Sequence, residues 1–303
     1  MTLPGIYPPI ATPFKDGEID YAALRRNVDR WMTTGLRGLL ALGTNGEAAL
    51  IDDNEAERVV ATVRDGVPAD RVLLVGTGRQ STRATIAATR RAAKAGADAA
   101  LVLTPFFFKS RMTQDALADY YRAVADASPV PVLLYNNTAV TGINPAPDTV
   151  AALSVYPNVA GMKDSNGDVA QVAGTIARVE ECFTLLVGSA ATIYPSLLVG
   201  AEGAIVAVAN VVPDLCVALY DLALAGRHDE ARALQQRITP LAVAVTREHG
   251  IPGLKAAMEM AGYTGGEVRA PLRPASQAAR AEIRRRYEEV VGARGEGQGT
   301  RGE

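Results

Sequence analysis

The sequence predicts an α/β chain folded as a (β/α)8 TIM barrel with a C-terminal helical extension, and three observations carry that prediction. Eight short apolar runs punctuate the chain at residues 5–12, 38–42, 71–76, 99–103, 132–135, 159–163, 184–188 and 204–208. They are nearly continuous rather than alternating in polarity, as parallel strands covered by helices should be. The first seven begin about 25–33 residues apart, the length that a strand, a helix and two turns require.

Each run leads through a polar or Gly-containing turn into an Ala-rich segment of helical period. In chain order these segments are 21–34, 54–66, 82–95, 114–127, 147–155, 169–179 and 193–199. After the eighth run the strand pattern stops and four helical segments follow, at 213–225, 229–248, 251–261 and 275–291. The expected organisation is a barrel over residues 1–225 carrying the active site, a helical extension over 226–291, and a tail over 292–303. That tail is Gly-rich with scattered charge and little to bury, so disorder is expected there.

Composition narrows the function classes. With 303 residues, 48% of them hydrophobic and 21% charged, the chain has ample material for a large core and too little charge for a disordered polymer. A net charge of −2 gives no global field for nucleic acid, so a small solute is the expected partner. Two cysteines, Cys182 and Cys216, make no disulfide framework. The N-terminus has no basic residue before Lys15 and four early prolines, unlike a signal peptide, and a cytoplasmic location is expected. The most apolar stretch, 197–224, is broken by Glu202, Asn210, Pro213, Asp214 and Asp221, so no membrane partner is expected. Two histidines and no paired-cysteine motif argue against a transition metal.

In such a barrel the chemistry sits at the C-terminal ends of the strands. The second strand ends in Gly43-Thr44-Asn45-Gly46-Glu47, where glycines permit a tight turn and backbone N–H groups can face an anion. A plain Gly turn capping the next helix explains the same residues. The sixth strand ends in Gly161-Met162-Lys163-Asp164-Ser165. A lysine there points into the barrel mouth, where desolvation disfavours its charged form and favours an amine nucleophile. The competing explanation is a structural ion pair with Asp164 or Glu47. Tyr135 ends the neighbouring fifth strand, where it either shuttles protons beside the amine or serves as a core tyrosine with a satisfied hydroxyl.

These residues, together with Gly96-Ala97-Asp98-Ala99-Ala100, Thr104-Pro105, Tyr135-Asn136 and Val208-Ala209-Asn210, resemble the N-acetylneuraminate lyase and dihydrodipicolinate synthase superfamily of class I pyruvate aldolases. The resemblance covers nearly the whole chain up to about residue 290. It implies that Lys163 condenses with the ketone of pyruvate, that Thr44 and Asn45 hold the carboxylate, and that Tyr135 and Thr44 move protons. It further implies that Gly188 and the carbonyl of Ile205 line the pyruvate site, that no cofactor or metal is needed, and that the chain forms a homotetramer, a dimer of dimers.

Two departures bear on the subfamily. Dihydrodipicolinate synthases carry an arginine a few residues after the strand-five tyrosine, where this chain reads Asn137-Thr138-Ala139-Val140. The family also often lends a tyrosine across a dimer interface at the position of Phe107. Phe106-Phe107-Phe108 is then an interface plug, or else loop residues packed over the barrel rim. Other segments are most similar to 4-hydroxy-2-oxoglutarate aldolase: Lys109-Ser110-Arg111-Met112, Gly167-Asp168-Val169, Val245-Thr246-Arg247, Gly250-Ile251-Pro252-Gly253-Leu254-Lys255 and Arg269-Ala270-Pro271-Leu272. The expected substrates are pyruvate and an aldehyde, or a 4-hydroxy-2-oxo acid. The alternatives are dihydrodipicolinate synthase, a sugar-acid aldolase or hydratase-aldolase and, from a different class, a catalytically weak sensor that binds an oxo acid.

Overall fold

The eight apolar runs become eight parallel strands that curl into a barrel. The computed structural model describes residues 3–292. The strands are β1 (Gly5–Tyr7), β4 (Gly38–Ala41), β5 (Val72–Gly76), β6 (Ala99–Leu103), β7 (Val132–Asn136), β8 (Val159–Asp164), β9 (Thr184–Val187) and β10 (Gly203–Ile205). They are bonded side by side in the order β1-β10-β9-β8-β7-β6-β5-β4. The ring closes between the first and last members: Leu40 N–H donates to Pro8 O at 3.0 Å and Ile10 N–H to Leu40 O at 2.9 Å. Most strand residues are buried because one face meets the barrel interior and the other a helix layer. Leu40, Leu74, Leu101, Leu133, Leu186 and Ile205 fill that interior, so it is a packed core with an open mouth.

The helices between strands are α1 (Tyr21–Trp31), α2 (Asp53–Gly66), α3 (Thr82–Lys94), α4 (Gln114–Ala127), α5 (Thr138–Thr141), α6 (Pro147–Ser154), α7 (Val169–Ile176) and α8 (Ile193–Leu198). Beyond the last strand come α9 (Pro213–Leu224), α10 (His228–Val243), α11 (Gly250–Met260) and α12 (Gln277–Gly292). Among the described residues no helix is long and apolar enough to cross a membrane. The tail assigned to residues 292–303 lies, from 293 onward, outside the described residues.

Three local features depart from the sequence expectation. Residues 5–12 hold only a three-residue strand, after which β2 (Phe14–Lys15) and β3 (Glu18–Ile19) form an antiparallel hairpin. Asp16 and Gly17 make its turn with φ of 52° and 83°, the positive region a two-residue hairpin needs. The eighth run, 204–208, leaves the sheet at Ile205 and becomes a 3-10 turn, Ala207–Asn210. The helix expected over 229–248 is interrupted: α10 stops at Val243 and a single π turn spans Ala244–Glu248, closed by His249 N–H to Ala244 O at 3.0 Å.

Candidate active site

The strand register brings the sequence-predicted residues together. On β7 and β8, Tyr135 pairs directly with Lys163. In-register neighbours on parallel strands point to the same face, and both side chains enter the barrel mouth, 5% and 4% exposed. The Lys163 ammonium sits 4.4 Å from the centre of the Tyr135 ring. The Tyr135 hydroxyl lies 3.4 Å from the Thr44 hydroxyl and accepts a hydrogen bond from Asn137 Nδ2 at 3.0 Å. Burial alone raises the pKa of this phenol. The charge of Lys163 and hydrogen bonds from Thr44, Asn137 and Ser165 outweigh that effect and bring the phenol below its ordinary value.

Neither ion pair proposed for Lys163 forms. Asp164 is turned away: its carboxylate accepts from Asn136 Nδ2 at 3.0 Å, Gln171 Nε2 at 2.9 Å and the Asn166 N–H at 2.8 Å. Glu47 is taken by a different lysine, Lys255 on α11, at 2.5 Å between two buried side chains. Among the described residues Lys163 has no ion-pair partner, so its amine need not leave a carboxylate before reacting.

The Glu47–Lys255 pair positions the Thr44–Gly46 turn. Glu47 closes that turn with its N–H on Thr44 O at 3.1 Å and holds φ at 57°, a left-handed conformation that costs a non-glycine residue about 1–3 kcal/mol. The strain is offset from far along the chain. Glu47 Oε2 accepts from the Arg269 N–H at 2.8 Å, and Lys255 also donates to Thr12 O at 2.7 Å and to Glu267 O. Arg269 in turn grips Glu55 through both carboxylate oxygens, at 2.6 and 2.7 Å. Glu55 also closes the capping box that starts α2, accepting from the N–H of Asp52 at the N-cap.

A cavity of about 510 Å³ opens over these residues. Thr44, Asn45, Tyr135, Asn137, Val140, Lys163, Gly188 and Ile205 all line it, so the structure gathers every expected site residue except Phe107. Gly188 has a steric reason to be glycine: a Cβ there would come within 2.9 Å of Lys163 Cε and 1.8 Å of Ser165 Oγ. Phe107 and Phe108 stand out from the molecule, 75% and 67% exposed, with their rings in an edge contact 5.2 Å apart. Packing over the barrel rim is therefore not what this chain does with them.

Sequence reasoning missed part of the wall. Ala242, Val243, Thr246, Arg247, Gly250 and Ile251, all from the helical extension, also line the cavity. They recur at the three- and four-residue spacing of one helical face, and two of them, Thr246 and Arg247, belong to the π turn. Glu248, His249 and Glu282 cluster nearby, but Arg286 pairs with both carboxylates.

Comparison with known proteins gives consistent results. The model of the Dihydrodipicolinate synthetase family matches residues 2–290. A 4-hydroxy-tetrahydrodipicolinate synthase of Methanothrix thermoacetophila is 38% identical over 282 residues, covering 92% of this chain and 94% of that protein. Among solved structures, a dihydrodipicolinate synthase from Thermotoga maritima superposes with a TM-score of 0.91 at 30% identity, covering 95% of this chain and 98% of that one. A chloride-inhibited dihydrodipicolinate synthase from Acinetobacter baumannii, complexed with pyruvate, gives a TM-score of 0.89 at 30% identity, with 95% and 98% covered. The family expectation holds. These relatives carry the synthase name, not that of 4-hydroxy-2-oxoglutarate aldolase.

Proposed function

The chain belongs to the Dihydrodipicolinate synthetase family, and from that premise we propose that Lys163 forms a Schiff base with pyruvate and that the enzyme makes or breaks the C3–C4 bond of a 4-hydroxy-2-oxo acid. Membership makes it a carbon–carbon lyase of the class I aldolase type. The observation that carries the assignment of Lys163 is its position, buried in the mouth, free of a carboxylate, with its ammonium 4.4 Å from the ring centre of Tyr135.

In the cleavage direction the amine of Lys163 attacks the C2 ketone and the resulting carbinolamine loses water. The iminium then accepts the electron pair as the C3–C4 bond breaks, while Tyr135 takes the proton of the C4 hydroxyl and the aldehyde departs. Protonation of the enamine and hydrolysis return pyruvate and free Lys163. Thr44 and Asn45 hold the C1 carboxylate, and Gly188 and the carbonyl of Ile205 shape the space around the imine. Thr44, 3.4 Å from Tyr135, passes the proton onward. The only residues assigned to this relay are Thr44 and Tyr135, because the position of Phe107 carries no hydroxyl.

A 4-hydroxy-2-oxo acid is favoured by the cavity wall after β7, where Asn137, Thr138 and Val140 present no guanidinium. The second reading, condensation of pyruvate with aspartate semialdehyde, is supported by the names of the relatives. Parallel assays separate the two: pyruvate release from a panel of 4-hydroxy-2-oxo acids, and condensation with aspartate semialdehyde. Efficient condensation with no release would replace the first reading by the second, and pyruvate trapping without turnover in either assay would support a sensor. We also propose a homotetramer in which the exposed Phe107 and Phe108 are covered by a second copy, to be checked by sedimentation of the wild type and of Phe107→Ser.

A further inference from the structure

We infer that Arg247 is a specificity residue that binds a second carboxylate at the far end of the substrate. The inference rests on the Schiff-base reading at Lys163 and deepens it. The cavity lining contains two charged side chains, Lys163 and Arg247, and no carboxylate. Lys163 is committed to the imine, so a remaining anion has one cationic group to meet. Arg247 is available for it: among the described residues its guanidinium forms no ion pair or hydrogen bond, and the adjacent Glu248 is held by Arg286 at 2.7 Å.

Placement argues the same way. A Cβ built on Gly188 lies 2.9 Å from Lys163 Cε, so Gly188 flanks the reacting lysine. The next residue, Ser189, packs over Gly167, and Arg247 Nη2 reaches within 3.6 Å of the position a Gly167 Cβ would occupy. Lys163, Gly188, Ser189, Gly167 and Arg247 are thus a run of neighbours from the imine to the cavity edge. The π turn Ala244–Glu248 presents Arg247 there from the helical extension, on different elements from the β7 end where Val140 stands. A planar guanidinium suits bidentate binding of a carboxylate. Arg111, which follows the aromatic run, does not line the cavity.

The test uses imine trapping, which needs no turnover. Wild type, Arg247→Gln and Arg247→Lys are reduced with borohydride in the presence of pyruvate, 2-oxoglutarate or 2-oxopentanoate, and the concentration giving half-maximal labelling is read by intact mass. The two longer acids share a chain length and differ in the second carboxylate, while pyruvate ends at its methyl group and serves as the internal reference. The expected result is that wild type labels with 2-oxoglutarate at a lower concentration than with 2-oxopentanoate. In Arg247→Gln the ratio of the 2-oxoglutarate value to the pyruvate value rises about 10–100-fold, the worth of one charge-assisted hydrogen bond, with partial recovery in Arg247→Lys. An unchanged ratio, or an equal shift for all three acids, overturns the role of Arg247 and leaves the Schiff base standing. A wild type that no acid labels overturns the Schiff-base reading, and the inference falls with it.

Discussion

Lys163 and Tyr135 are paired in register across β7 and β8, with the ammonium of one 4.4 Å from the ring centre of the other. The contact joins a cation to an aromatic face and to an ionisable phenol, and each side chain alters what the other can do.

The first expected outcome concerns the covalent step. Lys163→Arg abolishes turnover, because a guanidinium stays protonated and cannot attack a ketone. Peptide mapping after borohydride reduction with pyruvate places the added mass on Lys163 in the wild type. Label on Lys255 or Lys94 would refute the assignment.

Tyr135→Phe lowers turnover by about 10²–10⁴, the range for loss of a general acid–base group. Trapping at Lys163 slows and still occurs, because the pocket that holds pyruvate is otherwise intact. A variant with full turnover would mean that water carries the proton.

The Tyr135 phenol titrates below its ordinary value, since the attraction of Lys163 and its hydrogen bonds outweigh burial. The ammonium stabilises the phenolate, so Lys163→Gln removes that preference and raises the pKa of Tyr135. Carbon-13 NMR of labelled tyrosine, with Tyr135→Phe to assign the signal, reads the shift. No upward movement in Lys163→Gln would remove the electrostatic link between the pair.

Gly188→Ala reduces activity far more than stability. Its methyl group meets Ser165 Oγ at 1.8 Å, Ser165 Cβ at 2.8 Å and Lys163 Cε at 2.9 Å; the hydroxyl and the lysine chain rotate aside at the expense of the reactive geometry, and the Cβ contact is relieved by a small backbone shift. Trapping rate and urea midpoint are measured together, and a large loss of stability with normal trapping would contradict this account.

Glu47→Gln leaves the buried Lys255 ammonium without its counter-charge, an imbalance that costs about 3–5 kcal/mol at neutral pH. In the wild type, burial already holds Lys255 below the ordinary lysine value despite Glu47. Without the carboxylate it falls further, so up to about pH 10.4 the unfolded chain binds the extra proton and folding stability rises with pH. The deficit against wild type therefore narrows as pH rises toward the unfolded lysine value of about 10.4 in urea unfolding. A constant deficit would indicate lost packing instead.

The strands were legible because a fully buried parallel strand is an unbroken apolar run, and 99–103 coincides with the observed Ala99–Leu103. Lys163 and Tyr135 were legible because each ends such a run. The Asp16-Gly17 hairpin carries a readable turn signal, yet it falls between the first run, 5–12, and the first helix, 21–34, where no element is assigned from the sequence. Other features had no local signal. That Glu47 would choose Lys255 over Lys163 depends on how α11 packs against the barrel, and the cavity position of Arg247 depends on how the helical extension packs over the barrel mouth.

The clasp on Glu47 also sets an order of events during synthesis. The Thr44–Gly46 turn is fastened by the Arg269 N–H, a contact spanning 222 residues, and Lys255 reaches Thr12 across 243. Contacts so distant in sequence can form only after most of the chain has emerged and their loop-closure entropy has been met. A nascent chain can therefore hold Lys163 and Tyr135 on paired strands while the turn opposite them is still unfastened, and the enzyme becomes competent only when its C-terminal portion arrives.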